Sequence, residues 1–333
     1  MDIHHDDDLD VINVIIFGIP RQVYNRSDYF HSFDDLTFFQ RFRITKPTAI
    51  SILELIEPHI EYPYNLNNCV SPINQLLVFL RFCATGTHLA CIGDFAGMHL
   101  STASRIVVRV GAALASHYNR FIKMPQTQQD MNMAQMSFYE IARFPRVIGA
   151  IDCTHVKIQS PGGNDPEVFR NRKGYFSINV QAIVSAQLHI RNIVARWPGS
   201  SHDVTIFNNS AVRRQFENNL YPDALLLGDS GYYLRSYLMT PLLQTNNRAE
   251  QLYNESHIRT RNTVERFFGV FKRRFPVLAY GCRLKVQTVL TLIIALAVVH
   301  NICKEANEED PPDPENLDRF LEILQQQDVP HIP

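Results

Sequence analysis

Apolar positions repeat along this chain first with a helical period and then with a strand period. Thr45-Lys46-Pro47, followed by Ala49, Ile52, Leu53, Leu55 and Ile56, predicts a helix with proline in its first turn and a stop at Pro58. From Pro72, the positions Ile73, Leu76, Leu77, Leu80 and Phe82 keep helical spacing and predict a second helix. Leu89 to Phe95, then Gly97-Met98-His99, then Ser101-Thr102-Ala103-Ser104 leading into Ile106, Val107 and Val110, predict two helices joined by a short glycine turn. This is a helix-turn-helix-like hairpin over 89–110, a pattern shared by any glycine-turned pair of helices. In it Ser101 caps the second helix and Thr102, Arg105 and Arg109 face outward, which makes Arg105 and Arg109 candidates for DNA contact. The Gln- and Met-rich stretch 123–137 lacks clear periodicity and predicts a linker, closing an all-α region over 11–130.

The texture then changes from helical to mixed. Val147-Ile148-Gly149-Ala150-Ile151 is a compact apolar run ending at Asp152 and predicts a central strand. Phe176, Ile178, Val180, Ala182 and Val184 alternate with Tyr175, Ser177, Asn179 and Gln181, the pattern of a half-buried strand. Leu188 to Trp197 follows after a short connection and predicts its antiparallel hairpin partner. Asp203 starts a short helix through Phe207, Ala211 and Phe216, and Ala224 to Leu227 forms a fourth, fully apolar strand that runs into Gly228-Asp229. Asn262 opens a helix with Val264, Phe267, Phe268, Phe271 and Phe275 on one face. The apolar run from Val286 to Val299 includes Gln287, Thr288 and Thr291 and is shorter than the roughly 18 to 20 residues of a membrane span, so it predicts a buried helix and no membrane association. Three strands, a helix, a strand and a long amphipathic helix make the element order of an α/β, ribonuclease H-like mixed sheet with flanking helices over 131–303.

Composition narrows the class. With 333 residues, 45% apolar and 20% charged, the chain has material for one large domain or two ordinary ones, which excludes disorder for most of its length. Cys69, Cys83, Cys91, Cys153, Cys282 and Cys303 are scattered without a C-x-x-C pair, and no secretory signal opens the sequence, so a reduced intracellular protein without structural zinc is expected. The net charge of −1 conceals a segregation. Acidic tails at 1–10 and 304–333 hold 14 of the 33 acids and two of the 32 Lys and Arg residues, leaving a body at 11–303 with a charge of +11. A positive body favours polyanion partners, DNA among them.

Three acids fall where the expected fold can gather them: Asp152 at or near the end of the first strand, Asp229 after the fourth, and Glu265 in the first turn of the last nuclease helix, separated by 77 and 36 residues. Converging carboxylates repel one another unless protons or cations neutralise them. Hard oxygen donors suit Mg²⁺ or Mn²⁺, and a pair of such ions can hold a phosphodiester and activate water without a protein nucleophile. Each acid also has an ordinary reading: a strand-end turn for Asp152, an Asp-Gly-type turn for Asp229, and a capping box with Asn262 for Glu265. Arg259, Arg261, Arg266, Lys272, Arg273 and Arg274 surround Glu265, the only acid within 257–275. Of these, Arg261, Arg266, Lys272 and Arg273 are the candidates for phosphate contact. Asp203 reads as an N-cap before a ligand, His155 points to the strand face opposite Asp152, His300-Asn301 closes the apolar helix, and Lys173 is a minor phosphate candidate.

Four ordered blocks carry a family signature: Val147-Ile-Gly-Ala-Ile-Asp-Cys-Thr-His-Val-Lys157, Tyr175-Phe-Ser-Ile-Asn-Val-Gln181, Leu227-Gly-Asp-Ser-Gly-Tyr232 and Arg261-Asn-Thr-Val-Glu-Arg-Phe-Phe-Gly-Val-Phe-Lys-Arg-Arg-Phe275. Together they resemble the Harbinger transposase-derived nucleases of the PIF/Harbinger DDE superfamily, over about residues 35–303. The resemblance implies a metal-dependent DNA endonuclease with its acids on Asp152, Asp229 and Glu265 and two divalent cations at the site. It also implies a separately encoded Myb/SANT-like protein that supplies DNA targeting and nuclear entry, hence work in the nucleus, with the cytoplasm as a second compartment. Transposases often work as multimers bridging two ends, so a homo-oligomer is one option, but the sequence shows no heptad seam or exposed apolar stripe that would fix the oligomeric state. Tyr233 departs from the proline that often continues the second acidic block, a change of loop stiffness more than of chemistry. A catalytically silent DNA-associated adaptor and a phosphatase of small phosphoesters are the competing classes.

Overall fold

A computed structural model of the chain describes residues 28–63 and 69–312. The acidic stretch 1–10 and residues 313–333 of the C-terminal tail lie outside the described residues. Five strands, β1 (Val147–Lys157), β2 (Ser177–Val184), β3 (Ile190–Pro198), β4 (Leu225–Leu227) and β5 (Leu238–Met239), form one sheet in the order β3-β2-β1-β4-β5. The first three are antiparallel neighbours, whereas β4 runs parallel to β1 and β5 parallel to β4. This mixed sheet with helices on both faces is the ribonuclease H-like arrangement that the element order predicts.

A register shift between Val147 and Gly149 sets the facing of β1. Beyond it, Ala150 and Val156 enter the larger core while Ile148 and Ile151 enter the smaller one on the opposite face. Gly149 sits where the strands crowd: a Cβ there would lie 2.5 Å from Ile183 Cγ2 and 3.0 Å from Leu226 Cδ2. The larger core also takes the helix Val286–Glu305 and the helices of the N-terminal region, so that region and the sheet share one interior. Val286–Glu305 is long and apolar enough to cross a membrane, but most of it is buried inside the protein. It is the buried helix that the apolar run predicts. His300 and Asn301 lie within it rather than closing it: His300 Nε2 bonds Leu188 O at 2.8 Å, and Asn301 accepts from Ile190 N and donates to Ile190 O, both at 2.8 Å.

Several expectations are corrected. β1 runs five residues past Asp152, which is therefore mid-strand. β2 is buried along its whole length rather than half-buried, because helices cover both sheet faces and its polar side chains are used internally. The expected linker holds a helix, Gln128–Ala142, begun by a capping box between Thr127 and Asp130, and the boundary expected at residue 130 falls inside it. Pro58 does not stop its helix, which continues to Ile60. The hairpin forms from Leu89–Ala96 and Leu100–Ala115 around Gly97, but His99, not Ser101, caps the second helix, its Nδ1 accepting from Ser101 N. The helix bearing Glu265 spans Arg248–Arg274, capped by Asn247, so Asn262 and Glu265 are interior and the capping-box reading of Glu265 is removed. Finally, the first part of the acidic tail is docked: buried Arg274 donates to Glu308 Oε2 at 3.0 Å, and Glu308 Oε1 accepts from Thr45 N at 2.8 Å.

Candidate active site

The parallel register of β1 and β4 brings the first two acids level. Ala150 pairs with Leu227, and Asp152 and Asp229 each lie two residues further along the chain. β4 ends at Leu227, which leaves Asp229 in the turn beyond it, its Oδ1 accepting from Gly231 N at 3.0 Å. This is the carboxyl end of a parallel strand pair, where α/β sheets present their ligand-binding groups.

The third acid arrives on the helix Arg248–Arg274. Val264, Phe267, Phe268 and Phe271 anchor one face of that helix in the larger core, which turns Arg261 toward β1, with the more exposed Glu265 one turn further along. Lys272 fastens the same helix to β1 from its other end, donating to Thr154 Oγ1 at 2.7 Å and to His155 O at 3.2 Å. Between these points Arg261 donates to Asp152 Oδ2 at 2.8 Å and to Glu265 Oε1 at 2.7 Å, so one guanidinium separates the first acid from the third. The Asp152 side chain is 14% exposed and that of Glu265 53%.

Burial raises the Asp152 carboxyl from its usual 3.8 to about 6. Arg261 and the Cys153 backbone N–H oppose that rise, and the negative charges of Asp229 and Asp203 add to it. Asp203 therefore belongs to the electrostatic environment of the site. It is not the N-cap expected for it; His202 holds that position, and Asp203 Oδ1 accepts from Asn179 Nδ2 at 2.9 Å. Behind Asp152, on the other sheet face, Gln181 donates to the Tyr232 hydroxyl at 3.1 Å, and Cys153 Sγ lies 3.4 Å from the same hydroxyl. Burial pushes the Cys153 thiol and the Tyr232 hydroxyl well up, which keeps both neutral. His155 faces this side as expected and bonds Ser177 Oγ at 3.1 Å, its pKa lowered by burial.

The donor set fits a hard divalent cation. It consists of carboxylate oxygens, one of them buried among like charges, with a guanidinium already supplying positive charge between two of the three acids. Among the described residues no three His, Cys, Asp or Glu side chains are grouped closely enough to hold an ion in the arrangement seen. Asp152, Asp229 and Glu265 are the residues that would hold one.

The basic candidates fall into different settings. Arg261 and Lys272 are engaged with the acids and β1 as described, and Arg273 is half-buried. Arg266 is exposed and, with Arg259, Asn262, Ser137 and Gln187, lines a cavity of about 270 Å³ beside the helix. In the hairpin, Arg105 is exposed and turns back to Ser101 O, while Arg109 stacks 4.2 Å over the Tyr62 ring.

Residues 151–301 match the family described as DDE superfamily endonuclease, a span that starts one residue before Asp152 and includes Asp229 and Glu265. The human protein named "Putative nuclease HARBI1" is 32% identical over 257 residues, covering 76% of this chain and 73% of its own length. The chain belongs to the DDE superfamily endonucleases. The Xenopus laevis protein of the same name is 27% identical over 77% of this chain and 75% of its own. "Protein ALP1-like" of Arabidopsis thaliana is 25% identical over 313 residues, 88% of this chain and 75% of its own. No solved structure matches the chain significantly. Membership in this endonuclease family agrees with the sequence resemblance and supports a nuclease role.

Proposed function

We infer that this chain is a metal-dependent DNA endonuclease. The observation that supports the reading is the level placement of Asp152 and Asp229 by the β1–β4 register, with Glu265 linked to Asp152 through the shared guanidinium of Arg261. Mg²⁺ or Mn²⁺, when bound by Asp152, Asp229 and Glu265, would polarise a phosphodiester and activate water. The chain's own residues do the remainder. Asp152, titrating near 6, is mostly ionised at neutral pH and available as a ligand. Exposed Arg266 and the +11 body attract the substrate backbone, and Arg105 offers a second contact on the hairpin. By its resemblance the chain acts in the nucleus with a separate Myb/SANT-like protein that selects the DNA.

One observation favours the silent-adaptor reading: two of the three acids are already bridged internally by Arg261. The test separates the two readings. DNA carrying candidate terminal repeats is incubated with wild type and Asp152→Ala in Mg²⁺ or Mn²⁺. A nuclease cuts, stops on chelation and loses on the order of 10²-fold or more in rate in the variant. Equal cutting by both removes the assignment to these acids, and salt-sensitive binding without nicking in any metal assigns the adaptor role.

A further inference from the structure

The guanidinium of Arg261 does two unlike things at once. Toward Glu265 it makes an ordinary i, i+4 helix pair, of the solvated and weak kind. Toward Asp152 it reaches a carboxylate only 14% exposed, from a side chain itself only 16% exposed. Charge-assisted hydrogen bonds at 2.8 and 2.7 Å on either side fill the space between the two acids with a single positive charge.

The pose is not explained by fastening helix to strand. Lys272 already performs that task through Thr154 and the His155 carbonyl. Moreover, Arg261 Nε is buried without a partner, so the fork satisfies two carboxylates while one of its own donors is left unmet. A side chain held in that position by the negative charge around Asp152, where Asp229 and Asp203 also contribute, is a side chain that a stronger cation can displace.

We propose that Arg261 is a resident counter-cation: it neutralises Asp152 and Glu265 in the ion-free protein, withdraws when divalent cations bind those acids, and then takes a phosphate oxygen of the substrate strand. This rests on the reading of Asp152, Asp229 and Glu265 as cation ligands. The exchange adds one positive charge, since a singly charged guanidinium leaves as a doubly charged ion enters, and the negative charges of Asp229 and Asp203 beside Asp152 accommodate it. The planar fork released from two carboxylates has the geometry that recognises a phosphate in the same bidentate manner. Arg261 thus acts as a positioning residue, keeping the acids together before ions arrive.

The test uses the full chain stripped of metal and titrated with Mn²⁺ by calorimetry at fixed pH and ionic strength. Arg261→Gln is expected to bind Mn²⁺ on the order of tenfold more tightly than wild type, because the ion no longer breaks hydrogen bonds to charged groups. The melting temperature of ion-free Arg261→Gln falls below that of wild type, and saturating Mn²⁺ closes the gap. Arg261→Lys, which keeps a charge but loses the fork, falls between the two in affinity and carries the test should the glutamine variant not fold. Equal or weaker Mn²⁺ binding by folded variants overturns the proposal and makes Arg261 a fixed part of the scaffold. That outcome leaves the cation site itself standing, whereas absence of Mn²⁺ binding in wild type and variants alike overturns both.

Discussion

At Asp152 two physical demands oppose each other. A cation ligand must be ionised, yet burial and the charges of Asp229 and Asp203 favour the protonated carboxyl and raise it to about 6. A carboxyl raised above its unfolded value of 3.8 takes up a proton on folding between those two values. Its contribution therefore favours the folded chain at low pH and is lost as pH rises through about 6. Replacing it with an amide removes that dependence. In the ion-free protein, the stability of Asp152→Asn relative to wild type is expected to improve by about 1 kcal/mol between pH 5 and pH 7.5, measured by urea unfolding at both pH values. A difference that stays constant, or shifts the other way, shows that Asp152 is not raised.

Among the elements, the helix Arg248–Arg274 contributes most to the site, and it was only partly legible. The Phe267, Phe268 and Phe271 stripe shows in the sequence because it is strongly apolar, so the C-terminal half of the helix is legible, although Glu265 falls in its interior rather than its first turn. The half before Asn262 is polar and has no such stripe, and its start is marked only by the Asn247 to Glu250 cap. The helix Gln128–Ala142 was missed for the same reason: its signal is the Thr127 to Asp130 box rather than a hydrophobic period. β5 is two residues long and offers no pattern to read. The elements that carry the three acids are legible, because each acid follows a short apolar run or precedes an apolar stripe. The bridging by Arg261 is not, since it depends on the rotation of a helix against a strand more than a hundred residues away in sequence. The same helix presents Arg259 and Arg266 on a second face, at the polar cavity. If this face meets the DNA backbone, the double variant Arg259→Gln, Arg266→Gln reduces the slope of log affinity against log salt by about two, as two lost phosphate contacts require, and leaves Mn²⁺ affinity unchanged. An unaltered slope places the backbone elsewhere.

Taken as a whole, the molecule gathers distant segments onto one site through a shared interior. The N-terminal helices, the sheet and Val286–Glu305 pack in one core, and the buried Arg274–Glu308 pair ties the end of the acid-bearing helix to the start of the C-terminal tail and, through Thr45, to the helical region. That frame brings Asp152 and Asp229 level beyond the paired part of β1 and β4 and links Glu265 to Asp152 through Arg261, although 77 and 36 positions separate the three in sequence. The most direct test of the account asks whether the three act as a unit. Mn²⁺ affinity is measured for Asp152→Asn, Asp229→Asn, Glu265→Gln and their pairwise combinations. If they share a site, each single change weakens binding by on the order of tenfold or more, and the second change adds much less than the first. Variants that bind Mn²⁺ as wild type does, or losses that simply add, would show that these carboxylates do not form one cation site.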